Sequence, residues 1–379
     1  MKTIGLDFGT TNTRLSFSGS PWRYPLTQSG LLPSAVAFLP NGKMIIGESA
    51  RDRLAIDPVN VIPGPKRLIG TRFLSRETKH FRELYETAVE NNAGEPAFVT
   101  RCGTKTPEEI SAEIIRHSIL TADVTPESTS IAMTVPVAFG ERRSKALSSV
   151  ARQIGFKRIR LLAEPVATAV AYSGQCNVRR AAVFDLGGGT FDFAVLGATG
   201  QQQNINVLAY SGDDMLGSED IDRLLADWIA SHILEKTGWD LKSEKMIFAR
   251  VTAMAERAKI ALTRAEEVTI DLNPIDDASP VVLPRVTISR DYLYDLALSL
   301  IQRMFLVCDE VLYNAKTNVT EIDAVFLSGS GAIMPGIRGA VTQYFNRPVR
   351  NDIDPSFVVS IGAGLAMARP SLHSLFVNI

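Results

Sequence analysis

Residues 182–196 read AVFDLGGGTFDFAVL, and residues 4–17 read IGLDFGTTNTRLSF. Each runs from an apolar strand into Asp, one apolar residue, Gly, a set of small residues, and a returning strand. Asp7 and Asp185 stand 178 residues apart, close to half of the 379-residue chain. A repeat of that length signals a duplicated domain, since solenoid periods run about 20–50 residues. Two such hairpins can face each other across a cleft, their backbone N–H groups cradling phosphates and their carboxylates holding a cation. Thr10, Thr11 and Thr190 add hydroxyl donors, while Gly187, Gly188 and Gly189 let the backbone approach an anion with no Cβ in the way. Asp7, Asp185 and Asp192 are the expected holders of Mg²⁺, through its waters, because Mg²⁺ gives up its hydration shell reluctantly. Either turn alone reads as an ordinary tight hairpin; the recurrence decides for phosphate. No GxxxxGK[ST] string occurs, which excludes a P-loop.

Composition narrows the class. A hydrophobic share of 45% and a charged share of 21% are those of a globular chain with a full core. With 40 basic and 41 acidic residues the net charge is −1, so no overall field draws nucleic acid or an anionic membrane. Cys102, Cys176 and Cys308 are too widely spaced for a disulfide framework or a metal motif and read as free thiols. No apolar run reaches the roughly 18 residues that span a bilayer. The N-terminus enters a strand directly, with Asp7 where a signal peptide would be apolar. The expectation is a cytoplasmic monomer.

Between the hairpins the pattern alternates strands and helices. Helical spacing covers 107–122, a buried strand 130–136, and helices 141–154 and 246–266. Short strands are expected over 267–288, broken at Asn273–Pro274 and Asp276–Asp277, then a helix over about 290–315. A small-residue helix, SIGAGLAMA, closes the pattern before Pro370. On the helix MAERAKIALT, Val251, Met254, Ala255, Ala258 and Leu262 share the core face. Glu256, Lys259, Ile260 and Thr263 lie opposite. That polar face suits ribose and a base edge, but a surface ion pair with one exposed Ile explains it as well. LSGSG (327–331) is a third glycine loop, or simply a strand-to-helix connection. Lys66, in PGPKRLIG, reads on position alone as a surface lysine. Pro65 biases Gly64 toward extended geometry.

Taken in order, LDFGTTNT, KRLIG, TVPVAF, FDLGGGTFD, GDDMLGSEDID, ERAK and FLSGSGAIMP, with LLAEPVATAVAY at 161–172, make a specific set. Over residues 3–370 the chain resembles the nucleotide-binding domain of the DnaK-type, seventy-kilodalton heat-shock chaperones. The resemblance implies an actin-like α/β fold (ribonuclease-H-like duplicated lobes) with ATP or ADP, Mg²⁺ and potassium between them. It implies lobe I over 1–178, with core 1–31 and 107–178 and insert 32–106. Lobe II follows over 179–379, with core 179–222 and 310–379 and insert 223–309. It puts Asp7, Gly9, Thr10, Thr11, Asn12, Asp185, Gly187, Gly188, Gly189, Thr190 and Asp192 around phosphates and cations, and Gly217 and Ser218 beside the nucleotide. Lys66 and Glu164, with Asp185 and Thr190, become the catalytic set that places the attacking water. Glu256, Lys259, Ile260, Thr263, Gly329, Ser330, Gly331 and Ile333 surround ribose and adenine.

The implied activity is slow ATP hydrolysis in a chaperone nucleotide switch, with a J-domain co-chaperone and a nucleotide exchange factor as partners. The alternative is a stand-alone ATP-dependent regulatory module of the same fold. Four departures stand out. Ile260 and Ile333 occupy positions where the family sandwiches adenine between arginines. Ser218 replaces a glycine in LGSED. GERRSKAL departs from the usual polar run after Pro136. No acidic-leucine linker or peptide-binding β-sandwich is expected within these residues.

Overall fold

The computed structural model describes residues 2–27, 29–173, 178–199, 204–275 and 282–377. Cys176 and the break expected at Asp276–Asp277 lie outside them. Two sheets repeat one plan. In the first, Ser20–Trp22, Asn12–Phe17 and Lys2–Phe8 run antiparallel, and Thr129–Val135 and Arg158–Ala163 continue it in parallel. In the second, Asn204–Asp213, Phe191–Thr199 and Arg180–Leu186 are the antiparallel part, and Ala324–Ser328 and Val349–Arg350 the parallel part. Each phosphate-hairpin candidate therefore occupies the same place in its own sheet, as the actin-like expectation requires.

Helices follow the sequence signals closely. Pro107–Thr121 starts at a capping box, Thr106 accepting from the Glu109 amide while the Glu109 side chain accepts from the Thr106 amide. Glu141–Ile154 ends at Gly155 in the left-handed region (φ 116°). Lys245–Leu262 packs on Ser218–Thr237, and the expected short strands are the hairpin Glu267–Ile270 with Val286–Ser289. Arg290–Asn314 then runs back to the second sheet.

An alanine-rich core joins the two sheets. Helix Glu164–Tyr172 and helix Val358–Ala368 pack on each other between them, with Ala132 and Leu162 from the first sheet and Val183 and Phe326 from the second. The small residues of SIGAGLAMA explain the closeness. A Cβ on Gly362 would lie 1.7 Å from the Ala167 carbonyl oxygen, and one on Gly5 2.2 Å from that of Ser360. Ser16 Oγ donates to the same Ser360 oxygen at 2.5 Å. Phe376 is buried in this core, and the Val377 amide donates to the Leu161 carbonyl at 2.8 Å, so the end of the described chain docks on a sheet edge.

Candidate functional site

The two hairpin tips close in the same way. Gly9 N donates to Asn12 O at 3.1 Å, and Gly187 N donates to Thr190 O at 3.0 Å. They face each other across a cleft of about 840 Å³ lined by Asp7, Gly9, Thr10, Thr11, Asn12, Lys66, Glu164, Asp185, Gly187, Gly188, Thr190 and Gly329. Twelve sequence-predicted residues thus converge on one cavity. Gly188 and Gly189 have a further reason to be glycine. A Cβ on Gly188 would fall 1.6 Å from Thr11 Oγ1, and one on Gly189 1.5 Å from an Arg67 nitrogen. The absent side chains let the lobes touch.

Lys66 is not a surface lysine. Its Nζ lies 2.8 Å from Glu164 Oε1 and its side chain is buried. Gly64 makes this possible in the left-handed region (φ 56°, ψ 49°), not the extended geometry expected before Pro65. Its amide donates to Ser34 O, and its carbonyl accepts from Arg67 N, which together outweigh the proline bias. Arg143 holds the loop from outside. Its guanidinium lies 3.8 Å from the Phe139 ring centroid and donates to the carbonyls of Lys66, Arg67 and Ile69. GERRSKAL thus supplies a clamp for the lysine loop.

Negative charge accumulates beside this pair. Burial, then the charge of Glu164, pushes the Asp185 carboxyl up to about 7, although the Ser328 hydroxyl opposes the rise. Burial likewise raises Glu164, Lys66 being its main counterweight. Asp192, cross-strand neighbour of Asp185, is pushed well above its usual range by burial and by Glu164 and Asp185. Among the described residues no three acidic or His/Cys side chains are placed to ligate a metal directly. An all-oxygen group with excess negative potential nevertheless fits a hydrated hard cation, and Asp7, Asp185 and Asp192 are the candidates to hold it. Asp7 and Asp185 line the cleft, whereas Asp192 lines a smaller cavity that Asp185 also borders. Asp7 is already engaged, its Oδ1 accepting from Thr134 at 3.3 Å and its Oδ2 from Arg14 at 3.0 Å.

Glu219, Arg67 and Tyr85 carry no local sequence signal. Glu219 accepts from Thr11 Oγ1 (2.9 Å), Arg67 Nη2 (2.9 Å) and Tyr85 Oη (2.8 Å), all on the opposite lobe. Burial alone would raise its carboxyl, but Arg67 and the two hydroxyls outweigh burial and hold it below the usual range. Glu219 follows Ser218 in LGSED; nothing local marks it, or its partners Arg67 and Tyr85, as a cross-cleft tie.

Of the ribose and adenine candidates, Gly329 lines this cavity and the others lie outside its lining. Lys259 is buried, donating to Asp222 Oδ2 (2.7 Å) and Ser218 O (2.8 Å). It lies within helix packing, not on the open polar face expected from spacing. Glu256 reaches Arg51 at 3.5 Å, and Thr263 Oγ1 donates to Ile260 O. Lys259 and Thr263 line a second, small and mainly apolar pocket with Leu262, Leu293 and Ile337. Ile260 and Ile333 stay 52% and 41% exposed, leaving area for a ligand to cover. Ser330, Gly331 and Ile333 form the turn after Gly329, whose φ of +82° and contact with Leu186 O require glycine. The amides of Ser218 and Glu219 already donate to Gly187 O and Gly188 O, and Gly217 N to Asp220 Oδ2. That spends the start of helix Ser218–Thr237 on the second hairpin. Among the described residues no helix is long and apolar enough to cross a membrane.

Comparison with known proteins agrees with this architecture. The family model described as "Hsp70 protein" matches residues 3–369. The chain is 31% identical over 378 residues to the "Chaperone protein DnaK" of Stenotrophomonas maltophilia (strain R551-3). That alignment covers 96% of this chain and 59% of the relative, so the chain spans somewhat more than half of its length. Matched along nearly its whole described length, with the duplicated sheets and facing hairpins of the actin-like fold, the chain belongs to the Hsp70 family.

Proposed function

We propose that the chain binds Mg-ATP between its lobes and hydrolyses it slowly to ADP and phosphate, as the nucleotide-binding part of a DnaK-type chaperone. The observation that carries this reading is the buried Lys66–Glu164 pair, 2.8 Å apart, set between two hairpins of equivalent geometry. In phosphoryl transfer a protein mainly positions the reactants and neutralises charge. Lys66 supplies the positive charge that strengthens as the transferring phosphoryl group forms its transition state. Glu164, at the first turn of its helix and directed by Pro165, accepts a hydrogen bond from the attacking water and orients it. Thr10, Thr11 and Thr190 offer hydroxyls, and Gly187 and Gly188 backbone, to the phosphate oxygens. A bound Mg²⁺ would neutralise phosphate charge, held through water by Asp7, Asp185 and Asp192. Ile260 and Ile333 would flank the base, with Lys259, Glu256 and Thr263 toward the ribose.

A J-domain co-chaperone and a nucleotide exchange factor are the partners this reading implies, and a change of lobe angle is the signal they would set or read. The test is calorimetry with Mg-ATP followed by single-turnover hydrolysis. Tight or micromolar binding with slow release of phosphate is expected. No binding at millimolar Mg-ATP would overturn the assignment.

A further inference from the structure

One cation in the cleft has no role in the scheme above. Arg14 sits on the returning strand of the first hairpin, directly opposite Asp7 in the register. Its Nη1 donates to Asp7 Oδ2 at 3.0 Å and to Asn12 O at 3.2 Å. The residue is 8% exposed and lines the cleft. Its Nε is buried without a partner. A Cβ on Gly9 would lie 2.4 Å from Asn12 O, one of the two oxygens Arg14 donates to, and 3.0 Å from Nη1 itself.

The equivalent register position of the second hairpin holds Asp192, opposite Asp185. One duplicated turn therefore pairs a carboxylate with a guanidinium, and the other pairs two carboxylates. A monovalent ion needs several oxygens converging at one point. In the first hairpin the converging oxygens are Asp7 Oδ2 and Asn12 O, and both already accept from Arg14. The second Asp7 oxygen accepts from Thr134 at 3.3 Å. The potassium that the resemblance implies therefore does not fit beside the first hairpin. A second cation there would face the guanidinium, with both Asp7 oxygens already accepting a hydrogen bond.

Resting on the nucleotide reading, we propose that Arg14 is a tethered counter-ion. It supplies permanent positive charge beside Asp7 and the phosphates and makes the first hairpin independent of potassium. Arg suits the place because its guanidinium stays charged at any working pH and carries five N–H donors, of which the hairpin engages few. Removing it frees Asp7 Oδ2 and Asn12 O together, and those oxygens then form the site for a dissolved monovalent cation.

The test compares wild type, Arg14→Lys and Arg14→Ser in potassium chloride and in choline chloride at equal ionic strength. Mg-ADP affinity is read by calorimetry, and thermal melting is read without nucleotide. Wild type and Arg14→Lys should bind alike in both salts, within about twofold. Arg14→Ser should bind about tenfold more weakly in choline, the loss of one charge-assisted contact, and recover in potassium. Its melting temperature should also become potassium-dependent. Wild-type affinity that rises strongly with potassium overturns the proposal, as does an Arg14→Ser variant equally weak and equally stable in both salts. If Arg14→Ser does not fold, the salt response of wild type and Arg14→Lys decides. Wild type that binds no Mg-ADP in any salt counts against the nucleotide reading, and the nucleotide-free melting comparison still decides whether Arg14 takes an ion's place.

Discussion

Replacing Lys66 by Ala separates what the lysine does for the fold from what it does for chemistry. The side chains of Lys66 and Glu164 are 5% and 11% exposed, and their charged atoms lie 2.8 Å apart. Removing one partner of a buried ion pair costs roughly 3–5 kcal/mol, because the other charge is left uncompensated. Glu164 has an escape. Burial already raises its carboxyl, and losing Lys66, the main opposing charge, raises it further, so protonation becomes easier. That relaxation should bring the stability loss below this range. The loss in the transition state is larger, since a cation aimed at developing phosphoryl charge contributes on the order of 3–4 kcal/mol, or about 10²–10³ in rate. The double variant Lys66→Ala with Glu164→Gln removes the stranded charge. It should regain most of the stability and none of the turnover. Urea melts, calorimetry with Mg-ATP and single-turnover hydrolysis read the three quantities independently. A Lys66→Ala protein that hydrolyses at the wild-type rate would refute the reasoning, and so would a double variant whose rate recovers along with its stability.

Three further outcomes follow from the same geometry. Burial, then the charge of Glu164, pushes the Asp185 carboxyl up to about 7 from the ordinary 3.8. The folded state therefore holds the extra proton between those values, and nucleotide-free protein in chelator should lose stability as pH rises from about 4 to about 7. Asp185→Asn should remove up to about 4 kcal/mol of that pH-dependent loss in urea melts, and an unchanged pH dependence would rule the assignment out. Glu219→Ala removes the acceptor shared by Thr11, Arg67 and Tyr85. Opening of the cleft should become easier by about 2–5 kcal/mol, read in stopped flow as faster nucleotide release, and an unaltered release rate would show that the contact does not hold the lobes. Ile260→Ala and Ile333→Ala should each weaken Mg-ATP binding by about 1–2 kcal/mol through lost apolar burial. Wild-type affinity in both variants would place the base elsewhere.

The parts of this molecule legible in its sequence are those whose chemistry is local. The Asp–apolar–Gly turns needed only neighbouring residues to be seen, and the apolar spacing over 107–122 marked the helix found at Pro107–Thr121. The Lys66 loop shows where such reading stops. Its lysine looks like any exposed lysine until Glu164, 98 residues later, is folded against it. Only the resemblance brought the two together. The same limit applied at Lys259, where helical spacing put the ammonium on an open polar face. Asp222, 37 residues earlier, draws it into the packing between two helices instead.

Glu219 and Arg14 mark two different failures. Glu219 gathers partners 208, 152 and 134 residues distant, a separation at which no periodicity carries information. Arg14 was in plain view, seven residues from Asp7, inside the stretch that decided the fold. It passed as one more residue of a returning strand because the hairpin was read for what it offers a ligand. The strand register shows what it offers itself. In the first hairpin Asp7 meets Arg14, and in the second Asp185 meets Asp192. A carboxylate balanced across its own hairpin needs no metal to be stable, whereas two facing carboxylates are tolerable only with a proton or a cation between them. The duplication that made the fold readable thus conceals a division of labour: the first turn carries its counter-charge covalently, and the second must take its own from solution.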